Sequence, residues 1–242
     1  MMIDTVRTPP EMPPRMRQLQ KDKVGRPIPW FVPQVDGEYD FRFTDMQKIV
    51  LAIKGELCFI CGQKLNRVKN SHAPKGTFVA GPMCLINRTS AEPPNHTDCA
   101  EWSSKACPFL TKPMKVRRTS DMPEEVVEPA GVMIERNPGV TALIESERWS
   151  YFKVPDGMGG QGILFNFDRI TTVRWMAEGW AASTDQVLTS IETGLPQLIE
   201  ISADEPGALR ALAMKTRGAL RWLPSFDTAE YPVIGDLLRH LP

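Results

Sequence analysis

Cys58-Phe59-Ile60-Cys61-Gly62 and, further along, His96-Thr97-Asp98-Cys99 are the two stretches on which the reading of this chain turns. Two residues between the first cysteines let both sulfurs face one ion, and the glycine permits the tight turn that follows. Asn95 is a good N-cap and Pro108 forbids continuation, so the pattern predicts a helix from about Asn95 to Cys107. His96 and Cys99 then fall three apart in its first turn, where side chains share a face and the helix N-terminus favours a thiolate. Three sulfurs and an imidazole suit zinc. A closed Cys3His set has no open coordination position, so one structural Zn²⁺ held by Cys58, Cys61, His96 and Cys99 is expected.

A knuckle, intervening strands and a helix carrying two ligands in its first turn form the arrangement of a treble-clef zinc finger. Cys84 and Cys107 are also nearby, and either can stand in for His96 as fourth ligand. Five cysteines, an odd number, argue against a disulfide framework. A thioredoxin-like redox pair wants a βαβ context, which Gly62-Gln63-Lys64 and the sequence after it do not provide.

Outward from this centre, proline and charge divide the chain. Seven prolines fall within the first 33 of the 242 residues, so 1–26 is expected to be a disordered basic arm without helix or sheet. Residues 1–120 carry 19 Lys and Arg against 11 Asp and Glu, whereas 121–242 carry 10 against 18. A composition break at Met114–Pro129 places the expected boundary: a treble-clef zinc module at 27–120 and an acidic α+β module at 121–242. The fold class expected is therefore α+β. Lys and Arg supply most phosphate affinity, which makes Lys64, Arg67, Lys69, Lys112, Lys115, Arg117 and Arg118 the candidate nucleic-acid contacts.

In the first module, Asp36-Gly37 reads as a hairpin turn between Trp30-Phe31-Val32 and Tyr39–Phe43. Thr44-Asp45-Met46-Gln47 fits a capping box for a helix to about Lys54, and Thr77–Ala80 reads as a strand. In the second, 132–135, 141–145, 150–154 and 163–167 are strand-like. Asp168 is expected to cap a helix through Trp175, and Ser183-Thr184-Asp185-Gln186 to open one that stops at Gly194, before Pro196. The last helix is expected over about 207–223, with Leu209, Leu212, Ala213, Leu220 and Leu223 on one stripe. Gly157-Met158-Gly159-Gly160-Gln161-Gly162 matches a dinucleotide fingerprint only in letters, because a strand rather than a helix follows. No dinucleotide cofactor is expected. The longest aliphatic run, 49–53, is far too short for a membrane span, and the proline-rich start lacks an apolar signal region.

Several further segments carry a resemblance: Gly81-Pro82-Met83-Cys84-Leu85-Ile86-Asn87-Arg88, Ser90-Ala91-Glu92-Pro93-Pro94, His96 with Cys99-Ala100, and Ala106-Cys107-Pro108-Phe109-Leu110. With Pro29–Val32, 134–140 and 191–196, they resemble an uncharacterised group of zinc-motif proteins from bacteria and their phages. That resemblance implies a cytoplasmic protein of a bacterial host cell with a bound zinc. The zinc region is also similar to HNH endonucleases, a likeness that implies His72 as the water-activating base and Asn87 as its companion. The sequence departs from that pattern at Ser71, where a metal-binding Asp or His is usual, and has no His or Asn after Cys99 at helical spacing. The reading favoured here is a non-enzymatic binding protein engaging a protein or nucleic-acid partner. The HNH-like endonuclease is the alternative.

Overall fold

The computed structural model describes residues 10–67, 74–112, 137–155, 161–203, 205–223 and 226–242. Asp36 and Gly37 form the turn between β1 (Gln34–Val35) and β2 (Glu38–Tyr39), both in the left-handed region at φ 50° and 81°. These strands are shorter than the aromatic runs around them because those aromatics are used elsewhere. Trp30 donates its amide to the Ile60 carbonyl, and Phe31 stacks on Phe59 with ring centroids 4.0 Å apart. Helix α1 (Met46–Gly55) is capped by Asp45 rather than Thr44, the carboxylate accepting from the amides of Gln47 and Lys48. Ile49 and Ala52 are its buried residues, while Val50 faces solvent.

The first half continues through β3 (Gly76–Ala80), α2 (Pro82–Asn87), β4 (Thr89–Ser90), α3 (Thr97–Ala106) and α4 (Pro108–Thr111). The second supplies β5 (Thr141–Ser146), β6 (Trp149–Pro155), β7 (Gln161–Phe167), β8 (Ile170–Ala177) and β9 (Trp180–Ala181). It ends in α5 (Thr184–Ser202), α6 (Ala208–Leu220) and α7 (Pro232–Leu238). The architecture is a mixture of helices and antiparallel sheets. One sheet has the order β3-β5-β8-β9 and another β4-β7-β6. The strand expected at 132–135 lies outside the described residues.

The helix expected from Asp168 to Trp175 is a strand instead. Its β-branched run Ile170-Thr171-Thr172-Val173 pairs with β5, from Thr141 opposite Met176 to Ser146 opposite Ile170. Asp168 does not cap a helix. Its amide donates to the Arg148 carbonyl at 3.1 Å, and Glu147 donates to Arg169 at 3.0 Å, which carries the ladder through the bend between the two sheets. The helix expected to stop at Gly194 runs on through Pro196 to Ser202, behind the Ser183 capping box that the sequence indicates. Gly194 lets the helix approach α2: a Cβ there would lie 3.1 Å from the Met83 side chain. Tertiary packing therefore outweighs the local stop signal. Likewise Pro108 ends α3 but opens α4, as Pro82 opens α2 and Pro232 opens α7.

Both sheets take strands from the two sides of position 120, whereas the boundary segment itself lies outside the described residues. One apolar core joins Phe78, Leu85 and Ile86 of the first half to Phe165, Phe167, Leu188, Ile191, Leu212 and Ile234 of the second. A second cluster holds Met16, Cys58, Ile60, Cys61, Leu65 and Cys99. The presence of Met16 there corrects the expected disordered arm for residues 10–26. Pro14–Met16 form a single 3-10 turn, and the Met16 side chain is fully buried on the cysteines. Trp102 donates its indole N–H to the Pro10 carbonyl, and Gln63 donates to the carbonyl of Arg15. Proline removes backbone donors but not apolar surface, so a segment without regular structure still docks.

Candidate metal centre

Backbone hydrogen bonds shape the two halves of the centre and bring them together. The knuckle is a tight hairpin in which Cys58 donates to the Gln63 carbonyl at 2.7 Å and Gly62 to the Cys58 carbonyl at 2.8 Å. Gly62 has φ 72°, and a Cβ on it would come within 2.7 Å of Trp30 Cγ, so the turn requires glycine twice over. Thr77 of β3 and Asn95 exchange amide–carbonyl bonds of 2.8 Å, and Phe59 donates to the Pro94 carbonyl at 3.2 Å. Asn95 is not the N-cap of α3, which begins one residue later with His96 in that position. Its buried side chain instead accepts from the Ile60 amide at 3.0 Å and donates to the Thr77 carbonyl at 3.3 Å. One amide side chain thereby locks knuckle, strand and helix start together.

The result is that one ligand atom from each of Cys58, Cys61, His96 and Cys99 lies within 4.8 Å of every other, and all four residues are buried. These four side chains are placed to hold one metal ion. Cys84 on α2 and Cys107 at the end of α3 are not part of the group. The imidazole is oriented from both sides. His96 Nδ1 lies 3.4 Å from Cys61 Sγ, while Nε2 lies 3.1 Å from the Lys64 carbonyl oxygen. A carbonyl only accepts, so Nε2 donates to it, and Nδ1 faces the ion position, where it offers its lone pair once its own proton is displaced.

The electrostatics favour a thiolate at Cys61. Cys58 Sγ accepts from the backbone amides of Cys61 at 3.5 Å and of His96 at 3.4 Å. Hydrogen bonds from Cys58 and Cys99 hold the Cys61 thiol far below its ordinary value, and bonding to Cys58 and Cys61 pushes Cys99 the other way. Burial opposes charge on His96, but hydrogen bonds to Cys58 and Cys61, with their negative charge, raise it to about 9.

Beside the centre lies a cleft of about 330 Å³ lined by Arg15, Asn66, Lys75, Asp98 and Glu101 among others. Its charged side chains are paired: Arg15 with Asp98 within the cleft, and Lys75 and Glu101 with Glu145 and Arg174 from outside its lining. The HNH-like pair is not assembled in the described residues. His72 lies outside them, and Asn87 ends α2, which packs on α5 and α6. Of the candidate nucleic-acid contacts, Arg67 is engaged with Glu56 at 2.9 Å and Lys64 lends its carbonyl to His96. Lys112 follows α4, while Lys69, Lys115, Arg117 and Arg118 lie outside the described residues.

Sequence reasoning missed Met16, Asn95 and the Lys64 carbonyl. No pattern marks a backbone carbonyl or a lone methionine as part of such a centre. Asn95 was visible only as a helix cap, since local reasoning assigns an Asn before a helix to its nearest amides. No family model matches this chain, and no curated protein or solved structure matches it.

Proposed function

We propose that this chain is a zinc-stabilised, non-enzymatic binding protein whose centre is of the treble-clef kind. The observation that carries the reading is the convergence of three sulfurs and one imidazole nitrogen within 4.8 Å. Ligands about 2.3 Å from a tetrahedral zinc are about 3.8 Å apart, which suits that convergence, and Cys3His is a common structural zinc set. A fourth protein ligand leaves no position for substrate or activated water, which argues for a role in folding. Binding energy on the order of 10 kcal/mol then enters the stability of the fold. It would fasten the knuckle and α3 where the second cluster has few apolar residues of its own. The partner is a macromolecule, protein or nucleic acid, in a bacterial or phage setting, as the resemblance of the motif segments implies.

Elemental analysis of purified protein tests this reading. One zinc per chain is expected, lost in Cys58→Ser and in His96→Ala and kept in Cys84→Ser. Protein without zinc, or zinc retained in Cys58→Ser, would overturn it. Plasmid cleavage in Mg²⁺ that disappears in His72→Ala while zinc is retained would replace it by the endonuclease.

A further inference from the structure

Helix α6 is unusual in an acidic half. Residues 208–223 contain Arg210, Lys215, Arg217 and Arg221 and neither Asp nor Glu. Its inward face is Leu212, Ala213, Thr216, Ala219 and Leu220, all buried. On the outer side, Arg210, Met214, Arg217 and Arg221 follow one another at intervals of four, three and four residues, so they form one stripe along the helix, and all four are exposed. At about 1.5 Å per residue this stripe is about 16 Å long.

The stripe does not end with the helix. Arg88, at the C-cap of α2, reaches the same place: its Nη2 lies 3.9 Å from where a Cβ on Gly218 would be, and its Nη1 donates to the Asp168 carbonyl at 3.2 Å. Arg148 pairs with the Asp168 carboxylate at 3.3 Å. Asp168 thus holds Arg88 by its carbonyl and Arg148 by its carboxylate, with Arg221 beside Arg88. Burial and the neighbouring Arg221 push the Arg88 guanidinium below its ordinary value, the direction expected where positive charges crowd each other.

We infer that Arg210, Arg217 and Arg221, continued by Arg88 and Arg148, form a docking surface for the phosphate backbone of nucleic acid. The inference deepens the proposed binding function and rests on it, naming the partner class and the face that meets it. A strand of duplex DNA presents a charge about every 3.4 Å of axis, so about 16 Å of arginines matches a run of about five phosphates. All five groups are guanidinium forks, which bind phosphate oxygens two at a time. A linear row, with Met214 in one of its four places, suits a polyphosphate better than a folded acidic protein, whose carboxylates have no fixed repeat. The surface lies on the half that is acidic overall, so net charge points away from it.

The test is fluorescence anisotropy with a labelled random-sequence DNA duplex over a salt series, using the full chain and Arg210→Ala/Arg217→Ala/Arg221→Ala. The variant is expected to lower the slope of log affinity against log salt by about 2.7, roughly 0.9 per lost phosphate contact. Its melting temperature and metal content should match those of the parent. If the triple variant fails to fold, Arg210→Ala alone, away from the helix C-terminus, must lower the slope by about 0.9. No binding by the parent at low salt, or an unchanged slope in the variants, would overturn the inference. Polyglutamate displacing the duplex as well as unlabelled DNA does would assign the stripe to an acidic protein instead. Metal analysis on the same preparation separates the two ideas: zinc-loaded protein that ignores DNA sinks the stripe, and zinc-free protein that binds DNA through α6 sinks the zinc centre.

Discussion

Arg15 places its Nε 3.0 Å from Oδ2 of Asp98, across 83 residues of sequence and directly beside Cys99 of the Cys/His cluster. Both side chains are partly exposed, so the ion pair contributes at most about 1 kcal/mol and chiefly sets where the arm lies. The apolar work falls to the next residue, Met16, buried against the cysteines. Met16→Ala should cost about 2–5 kcal/mol in urea unfolding and speed metal transfer to a chromogenic chelator, whereas Arg15→Ala should cost less than about 1 kcal/mol. Equal transfer rates in Met16→Ala and the parent would mean that the arm does not shield the centre.

The His96 imidazole gives the centre a pH dependence of known sign. Its folded value, about 9, lies above the ordinary 6.5 because hydrogen bonds to Cys58 and Cys61 outweigh burial. In protein stripped of metal by a chelator, this group stabilises the fold fully below about pH 6.5 and ceases to as pH rises through about 9. A metal must displace that proton from Nδ1, so apparent metal affinity should climb with pH up to about 9. Competition titrations at several pH values, repeated with His96→Ala, would show it. A pH profile identical in the two proteins would remove His96 from the ligand set.

Gly62→Ala should weaken the knuckle by about 1–2 kcal/mol from its left-handed backbone alone, with a further penalty from contact with Trp30. Trp30→Ala should relieve the second part and not the first. A double-mutant cycle read by thermal unfolding separates them, and strict additivity would contradict the contact.

Glu192 of α5 caps α7 from outside, its carboxylate accepting from the amides of Val233 at 2.6 Å and Ile234 at 2.9 Å. Glu192→Ala should destabilise the fold by about 1–2 kcal/mol, the usual worth of a good N-cap, with partial recovery in Glu192→Gln. Amide exchange at Val233 and Ile234 should accelerate in Glu192→Ala. Unchanged protection there would show that α7 is held by its apolar face alone.

How far the sequence could be read depended on the range of the forces involved. The two Cys and His pairs of the cluster, the Ser183 capping box, the turn at Asp36-Gly37 and the strands β5 and β7, which lie in different sheets, were legible because each rests on spacing within a few residues. The errors at Asp168 and Gly194 share one cause: a local signal was followed where a distant partner decided. Asp168 resembles a helix cap until Arg148 accepts its amide, and Gly194 resembles a stop until Met83 fills the space beside it. The prolines at 82, 108 and 232 carry a readable sign of helix starts, and at Pro108 the stop of α3 coincides with the start of α4.

By itself the sequence determined which atoms were available to bind a metal, since ligand chemistry and the two-residue gap of the knuckle are properties of short peptide segments. Only the tertiary structure decided that Lys64 orients His96, that Asn95 locks the knuckle to α3, and that Met16 closes over the sulfurs. It likewise decided that Arg88 meets the arginine stripe of α6 and shares Asp168 with Arg148. These relationships join residues brought together by burying apolar surface in a common core. Burial is non-directional, so it leaves no periodic trace in the chain from which such meetings could be read.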